Sequence, residues 1–363
     1  MPPPSSRIQT VDALRGIASF CVAWFHFTNG NGAFLPVGFL KSSGRYGWLG
    51  VQMFFVISGF VIPHALYKAQ YQLPQYGRFL AKRIIRLDPP YIVDICLVLA
   101  LAYLVPLVPM YHGIRPSYSF TQLLGHVGYA NTLIGKPWIN PVFWSLGIEF
   151  QYYLLIGLIF PLLVAPNRLI RLASMVALLL PAFFIPRPSL IFTWLPLFVA
   201  GILIFQKRVG QLSGGFFVAG LAVVFSIVWA EGRFGIAEGG LPSAIVMLLT
   251  ALAIAFVTLR FRVLNWLGLI SYSLYLVHVP IGGKVVNLGA RYAHRLHSEI
   301  IVLFLACLAS LFAAYLLYRA VELPSQRLSS KISYRRPVER GSEGGVLKTE
   351  ALNAQGLVAH SVD

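Results

Sequence analysis

The sequence predicts an all-α integral membrane protein, a bundle of about ten transmembrane helices with both termini on the cytoplasmic side. Three observations predict it. The 363 residues are 57% hydrophobic and only 11% charged, with mean hydropathy +0.73, against about 25% charged residues in a soluble domain. Ten apolar stretches, centred near residues 20, 57, 98, 152, 178, 198, 222, 250, 273 and 309, are candidates for spans of about 20 residues. With ten spans, 20 of the 29 basic residues fall on the side that holds both termini, which the positive-inside rule makes cytoplasmic. The formal charge of +17 is thereby explained by topology and contact with anionic membrane lipids, and gives no reason to expect nucleic acid as a partner.

The first span, from Val11 to Phe27, carries Asp12 and Arg15 where the core of a removable signal would be purely apolar, so it is expected to stay. Arg15 and His26 are eleven residues apart, about 16 Å and about three helical turns. They share one face as two stations, Arg15 near the cytoplasmic edge and His26 deeper or toward the outer half. Asp12, three residues before Arg15, is placed to pair with it. Ionisable groups in a span are functional candidates; imidazole titrates near neutrality and can take a proton from a hydroxyl. A snorkelling anchor at Arg15 and an interhelical hydrogen bond at His26 are the structural alternatives. In the second span, "GVQMFFVISGFVIPH", Ser58 and Gly59 are small enough for close helix approach. Ser58 lacks the strand–turn–helix setting of a nucleophile, so packing is favoured, with a place on the substrate cavity as its candidate role.

In "RFLAKRIIRLDPPY", Arg78, Lys82 and Arg86 form one helical stripe with Arg83 beside it. Arginines suit phosphate oxygens; lipid headgroups are the alternative ligand. Pro89 and Pro90 are expected to punctuate the chain before it re-enters the membrane. The outer connection Pro109–Asn140 carries His112, Arg115, His126 and Lys136, where a polar ligand or simply solvent meets the chain. Glu149, in "NPVFWSLGIEFQYYLL", needs a partner or a cavity; an ion pair and a catalytic role both fit. His278, with Tyr272 and Tyr275 in "LGLISYSLYLVHVPI", forms a polar face toward a cavity or a neighbouring helix. Cys21, Cys96 and Cys307 lie in spans and suggest neither a disulfide framework nor a metal site. From about Ser329 the chain turns polar and too poor in apolar residues to order itself. The expected division is a membrane domain over 1–330 and a disordered cytoplasmic tail over 331–363.

Taken in order, "VDALRGIASFCVAWFH", "GVQMFFVISGF", "RIIR" followed by "PPY", "WSLGIEFQYYL", "SYSLYLVHVP" and the closing "VELP" resemble the membrane acyltransferase-3 family, which O-acylates sugars and some other acceptors. The resemblance covers about residues 8 to 330. It implies an acyl-CoA donor, usually acetyl-CoA, on the cytoplasmic side and no metal. It implies an acceptor hydroxyl on a bacterial surface glycan or its lipid-linked precursor, and residence in the bacterial inner membrane. By matching position, Arg15 and His26 would be essential, His26 as the catalytic residue, and Arg83 and Arg86 would engage the donor. Arg78 joins them as a donor-binding candidate, Glu149 joins the catalytic candidates, and Ser58, Tyr272 and His278 are placed on the substrate cavity. Three positions depart from the family pattern: Gln52 stands where Asp is common, Phe150 where a second Glu is common, and Asp88 where an apolar or aromatic residue is frequent. No hydrolase-like domain is expected after the last span, so an acyl relay to one would need another protein. The rival class is a transporter or flippase of a lipid-linked sugar, against which stands the lack of an inverted repeat or of paired broken spans.

Overall fold

The computed structural model describes residues 8–107, 117–185, 187–235 and 239–334. His112, Arg115 and the tail from 335 onward lie outside them. Among the described residues every regular element is helical. The principal helices are α1 (Gln9–Asn29), α2 (Gly50–Lys68), α3 (Tyr76–Leu104), α4 (Phe120–Val127), α5 (Phe143–Leu163), α6 (Arg168–Leu179), α7 (Leu195–Arg208), α8 (Gly214–Arg233), α9 (Gly240–Phe256), α10 (Arg262–Leu269), α11 (Ser271–Val277), α12 (Lys284–Gly289), α13 (Leu296–Leu317) and α14 (Leu323–Ser330). Each of the ten expected centres falls in a helix.

Length and apolar composition, however, qualify six helical stretches to cross a membrane, or seven if the pair Arg262–Leu269 and Ser271–Gly289, bent by 61°, is one span. That is fewer than the ten expected. Helix α1 stays outside the count because Asp12, Arg15 and His26 lie within it, and α9 because it is only 17 residues long.

Helix α3 corrects a second expectation. Pro89 and Pro90 sit inside one continuous 29-residue helix rather than ending it. The proline ring fixes φ near the helical value, and in a bundle neighbouring helices supply the partners that a broken ladder needs. The carbonyls left without a helical N–H are those of Ile85 and Arg86; one residue along, the Tyr272 hydroxyl donates to the Leu87 carbonyl at 2.9 Å and holds this stretch of α3 against the helix that carries Tyr272.

The central packing is by backbone approach. A Cβ on Gly59 of α2 would collide with the Phe198 carbonyl of α7, and one on Gly201 with the Val56 carbonyl of α2. It is therefore Gly59, not Ser58, that lets these helices meet, and Ser58 is left to turn its hydroxyl elsewhere. Gly268 of α10 lies against the Asp12 carbonyl in the same way, which seats the first turn of α1 on the bent pair.

Contacts between the helix ends define two ends of the bundle. At one, Thr10 donates to the Val257 carbonyl at 2.7 Å, Gln75 to the Tyr334 carbonyl at 2.7 Å and Lys82 to the Ile332 carbonyl at 3.3 Å. The first and last described residues thus share this end. Also there, Tyr71 donates to the Gly157 carbonyl at 2.8 Å, and burial pushes its hydroxyl up to about 12. At the other end, Asn31 donates to Asn287 at 2.9 Å, and Gly232 abuts Gly240.

The connection before α5 is built rather than merely solvated. His126 is 1% exposed. Its Nδ1 donates to the Gln122 carbonyl at 2.7 Å and its Nε2 accepts from the Ile139 amide at 3.2 Å. Both nitrogens are used, so His126 offers nothing to a ligand. Burial pushes its pKa below the ordinary 6.5. The unfolded segment therefore takes up a proton before the folded one, and stability is lost as pH falls below about 6.5. Protection of the amides in 120–140 against hydrogen exchange, corrected for the intrinsic slowing of exchange at lower pH, should fall between pH 7 and pH 5 in the wild type. His126→Gln, which has no proton to take up, should flatten that dependence; an unchanged dependence would show that another group causes it.

Candidate active site

The chemistry-bearing residues gather in two clusters joined by cavities. The first is built on His26 in the last turns of α1. His278, 0% exposed, stands behind it on the element that follows α11. His278 Nδ1 lies 3.0 Å from the Leu274 carbonyl, and His278 Nε2 lies 3.2 Å from His26 Nδ1. His26 Nδ1 is also 3.0 Å from the Val22 carbonyl. A carbonyl only accepts, so Nδ1 of His278 carries its proton, and in the neutral pair its Nε2 must accept. His26 Nδ1–H is then shared between Val22 and His278, and the lone pair of His26 falls on Nε2. The arrangement can hold one imidazole in the tautomer that acts as a base, as the third member of a catalytic triad does for its histidine.

The backbone explains why His278 is held there. Residues His278–Gly283 form a π-helical turn, a local form often found at functional sites. Pro280 has no N–H to give the Leu276 carbonyl. Asn140 Nδ2 supplies that bond at 3.0 Å and also donates to Asp94 Oδ2 at 2.9 Å. One amide thus ties α3 and the segment before α5 to the end of α11, just ahead of the π turn.

The second cluster lies one helix length away. Ser58 Oγ donates to Glu149 Oε1 at 2.7 Å, and the Tyr153 hydroxyl bonds to the same carboxylate. Arg15 Nε donates to Ser271 Oγ at 3.3 Å. Arg83 lies over the rings of Phe79 and Tyr153, each at 5.6 Å, and its Nε is buried without a partner. Arg86 sits within electrostatic reach of Arg83, Arg15 and Glu322. Glu322 accepts from the Ser273 hydroxyl at 2.6 Å and the Ser273 amide at 3.2 Å through Oε2, and from Gln326 at 2.9 Å through Oε1. Three arginines thus meet two carboxylates, leaving positive charge and an open donor.

Four cavities run from one cluster to the other. A vestibule of roughly 430 Å³ is walled by His26, Asn31, Asn140 and Asn287. His26 also walls a second cavity of roughly 270 Å³ with Trp48, Gln52 and Tyr275. Tyr275 and Val51 are shared with a third, roughly 50 Å³, that holds Arg15, Ser58, Glu149 and Tyr272. Glu149 and Tyr272 in turn wall a cleft of roughly 10 Å³ that holds Arg83 and Asp88.

Ser58, Glu149, Arg15 and Tyr272 come together on one cavity. Arg83 walls the adjoining cleft, and Arg86 lies within electrostatic reach of Arg83 and Arg15. Arg78 does not join them: it is exposed, two turns along α3. Lys82 is also taken, by Ile332 and by the Tyr334 ring at 5.2 Å. His278 backs His26 across a helix contact, one of the two settings expected for it, and walls none of these four cavities itself. Two residues went unnoticed as site members. Glu322 was visible only as an acid in "VELP", and Asn140 only as a residue beside a proline. Two of the departures from the family pattern form one unit: Tyr129 donates to Asp88 at 2.9 Å and stacks on Phe150 with ring centroids 4.9 Å apart. Burial holds the Tyr129 hydroxyl well above its ordinary pKa, so it remains a donor.

Against this geometry the comparison with known families is decisive: the acyltransferase domain model of the acyltransferase-3 family matches residues 8–319. The chain belongs to the acyltransferase-3 family. It is 26% identical to the O-acetyltransferase OatA of Staphylococcus aureus over 378 aligned positions, 91% of this chain and 59% of OatA. It is 31% identical over 162 positions to BcsY of Komagataeibacter xylinus, provisionally named a membrane-bound transacylase; that match covers 42% of this chain and 37% of BcsY. The chain thus spans less than two thirds of the length of either relative. No solved structure is a significant match. Membership of this family and the apolar helices make the chain a multi-pass membrane protein of acyltransferase type.

Proposed function

We propose that this acyltransferase-3 protein is an O-acetyltransferase that moves an acetyl group from acetyl-CoA to a hydroxyl of a glycan or lipid-linked sugar. The observation that carries the reading is the run of cavities between the arginine cluster and the His26–His278 pair. The CoA phosphates bind Arg83 and Arg86, whose excess charge and open Nε suit phosphate oxygens. The arm bearing the thioester follows the cavities past Arg15, Ser58 and Glu149 toward His26. The acceptor hydroxyl enters through the vestibule. His26 Nε2 takes its proton as the oxygen attacks the thioester carbonyl; the C–S bond breaks, and the proton passes to the departing CoA sulfur. The basic end of the bundle, where both ends of the described chain lie, faces the cytoplasm by the positive-inside rule, and the membrane is the bacterial inner membrane. The transport reading has no observation in its favour.

The testing experiment uses three matched strains: wild type, deletion, and His26→Ala. Proton NMR of surface and secreted glycans should show O-acetyl ester signals in the wild type alone, with the glycan still exported in all three. Loss or internal accumulation of the glycan would instead support transport. In sealed inside-out vesicles, acetyl-CoA on the cytoplasmic face alone should suffice; a need for donor on the other face would overturn the across-membrane route.

His278 acts here through His26. His278→Phe removes the acceptor for His26 Nδ1–H and should lower kcat at least about tenfold while leaving the KM for acetyl-CoA within about twofold. His278→Gln, whose carbonyl can accept that hydrogen bond, should recover part of the rate. Equal loss in both variants, or a loss confined to KM, would show a merely structural role.

A further inference from the structure

The end of the bundle that opens the His26 vestibule carries charge that the proposed reaction does not use. Lys284 is exposed in the wall of the vestibule itself. Arg291 and Arg295 are exposed at the corner between α12 and α13, next to the vestibule residues Val286 and Asn287. Arg45 and Lys136 are exposed on the two connections that supply Trp48 to one cavity and Ile139 to the other. Arg187 and Arg233 are exposed on the remaining connections at this end. The two acids described here, Glu231 and Glu299, are only 3% and 7% exposed. Among the described residues, this end therefore presents seven exposed cations and no exposed carboxylate.

This end holds the smaller share of the basic residues, as an outward face should, yet the exposed charges described on it are all of one sign. A rim of one sign around a low-dielectric cleft focuses the field and raises the local concentration of oppositely charged ligand. Lipid headgroups would meet cations on the outer girdle of the bundle, whereas Lys284 lies in the wall of the opening. Asn31 and Asn287 beside it are neutral hydrogen-bonding groups suited to hydroxyls. We infer that the acceptor is a polyanionic glycan, one bearing carboxylate or phosphate groups along its chain, and that this rim draws it to the vestibule. The inference takes the acceptor's entry point from the acyl-transfer reading above, but its test reads binding alone.

The full-length protein is placed in nanodiscs of zwitterionic lipid and titrated with polygalacturonate and with dextran of matched length. Polygalacturonate should bind and dextran should not, and the polygalacturonate affinity should fall at least about tenfold from about 20 mM to about 300 mM salt, as screening shortens the reach of the charges. The triple variant Lys284→Gln, Arg291→Gln, Arg295→Gln should weaken binding at least about tenfold at low salt, with its melting temperature unchanged. Arg78→Gln, an exposed cation at the opposite end of the bundle, should bind polygalacturonate as the wild type does. Equal binding of dextran, an unaffected triple variant, or attraction only to vesicles containing phosphatidylglycerol would overturn the inference, the last in favour of a lipid surface. Acetylation of a neutral glycan would keep the acyl-transfer reading and sink this one; polyanion binding without any acetylation would do the reverse.

Discussion

His26→Ala lowers acetyl transfer at least about 10²-fold and up to about 10⁴-fold, the range a positioned general base contributes, while the protein is made and inserted at normal levels. The imidazole lines two cavities and packs on His278 and Phe25 with ring centroids 5.0 and 5.2 Å away. Its removal therefore enlarges an existing space rather than exposing a packed core, and a large loss of stability is not expected. The measurement is transfer of labelled acetyl from acetyl-CoA in membranes, normalised to the amount of protein, alongside a thermal melt in detergent. Full activity in His26→Ala would overturn the assignment of the base. A collapse of the melting temperature would assign the loss to folding, and His26→Gln, which keeps the size and a donor to Val22, would then decide: a stable but inactive His26→Gln restores the chemical reading.

Arg86→Ala raises the KM for acetyl-CoA by about 10- to 100-fold, the equivalent of one lost hydrogen bond to a charged group, and leaves the KM for the acceptor within about twofold. Arg86 lies within electrostatic reach of Arg15 and Glu322 and of Arg83, which walls the cleft at the end of the run opposite His26, so its loss should touch the donor alone. Arg78→Ala is the internal control. Because Arg78 is exposed and outside the cluster, it should change the donor KM by less than about threefold, as a surface charge does. Equal effects at the two positions would mean that the whole basic stripe, not the buried part of it, meets the phosphates. An unchanged donor KM in Arg86→Ala would leave Arg86 as a structural partner of Glu322.

The reach of the sequence varied with how local each property is. The same-face spacing of Arg15 and His26 is a property of one helix, and both do line the run of cavities. That Arg15 would meet Ser271 and Glu322, and that His26 would meet His278, depends on contacts between residues more than 250 positions apart. No periodicity reports such contacts. The stripe Arg78, Lys82, Arg86 was equally legible, yet a stripe does not say which of its members faces the bundle. Packing against the C-terminal segment consumed Lys82, left Arg78 outside and turned Arg83 and Arg86 inward. The prolines misled because their local meaning is to end a helix, whereas inside a bundle other helices can supply the missing hydrogen bonds.

The sequence by itself determined that the chain is helical, apolar enough for a membrane and ordered in its motifs like an acyltransferase-3 protein, because composition, helical period and motif order are written along one dimension. Only the tertiary structure decided which ionisable groups share a cavity. It decided that His278 sets the tautomer of His26 and that Asn140 satisfies the carbonyl Pro280 leaves open. It also decided that Glu322 answers the arginines. Each of these is a hydrogen bond or charge contact between distant segments, and a buried polar group takes whichever partner folding brings within about 3 Å.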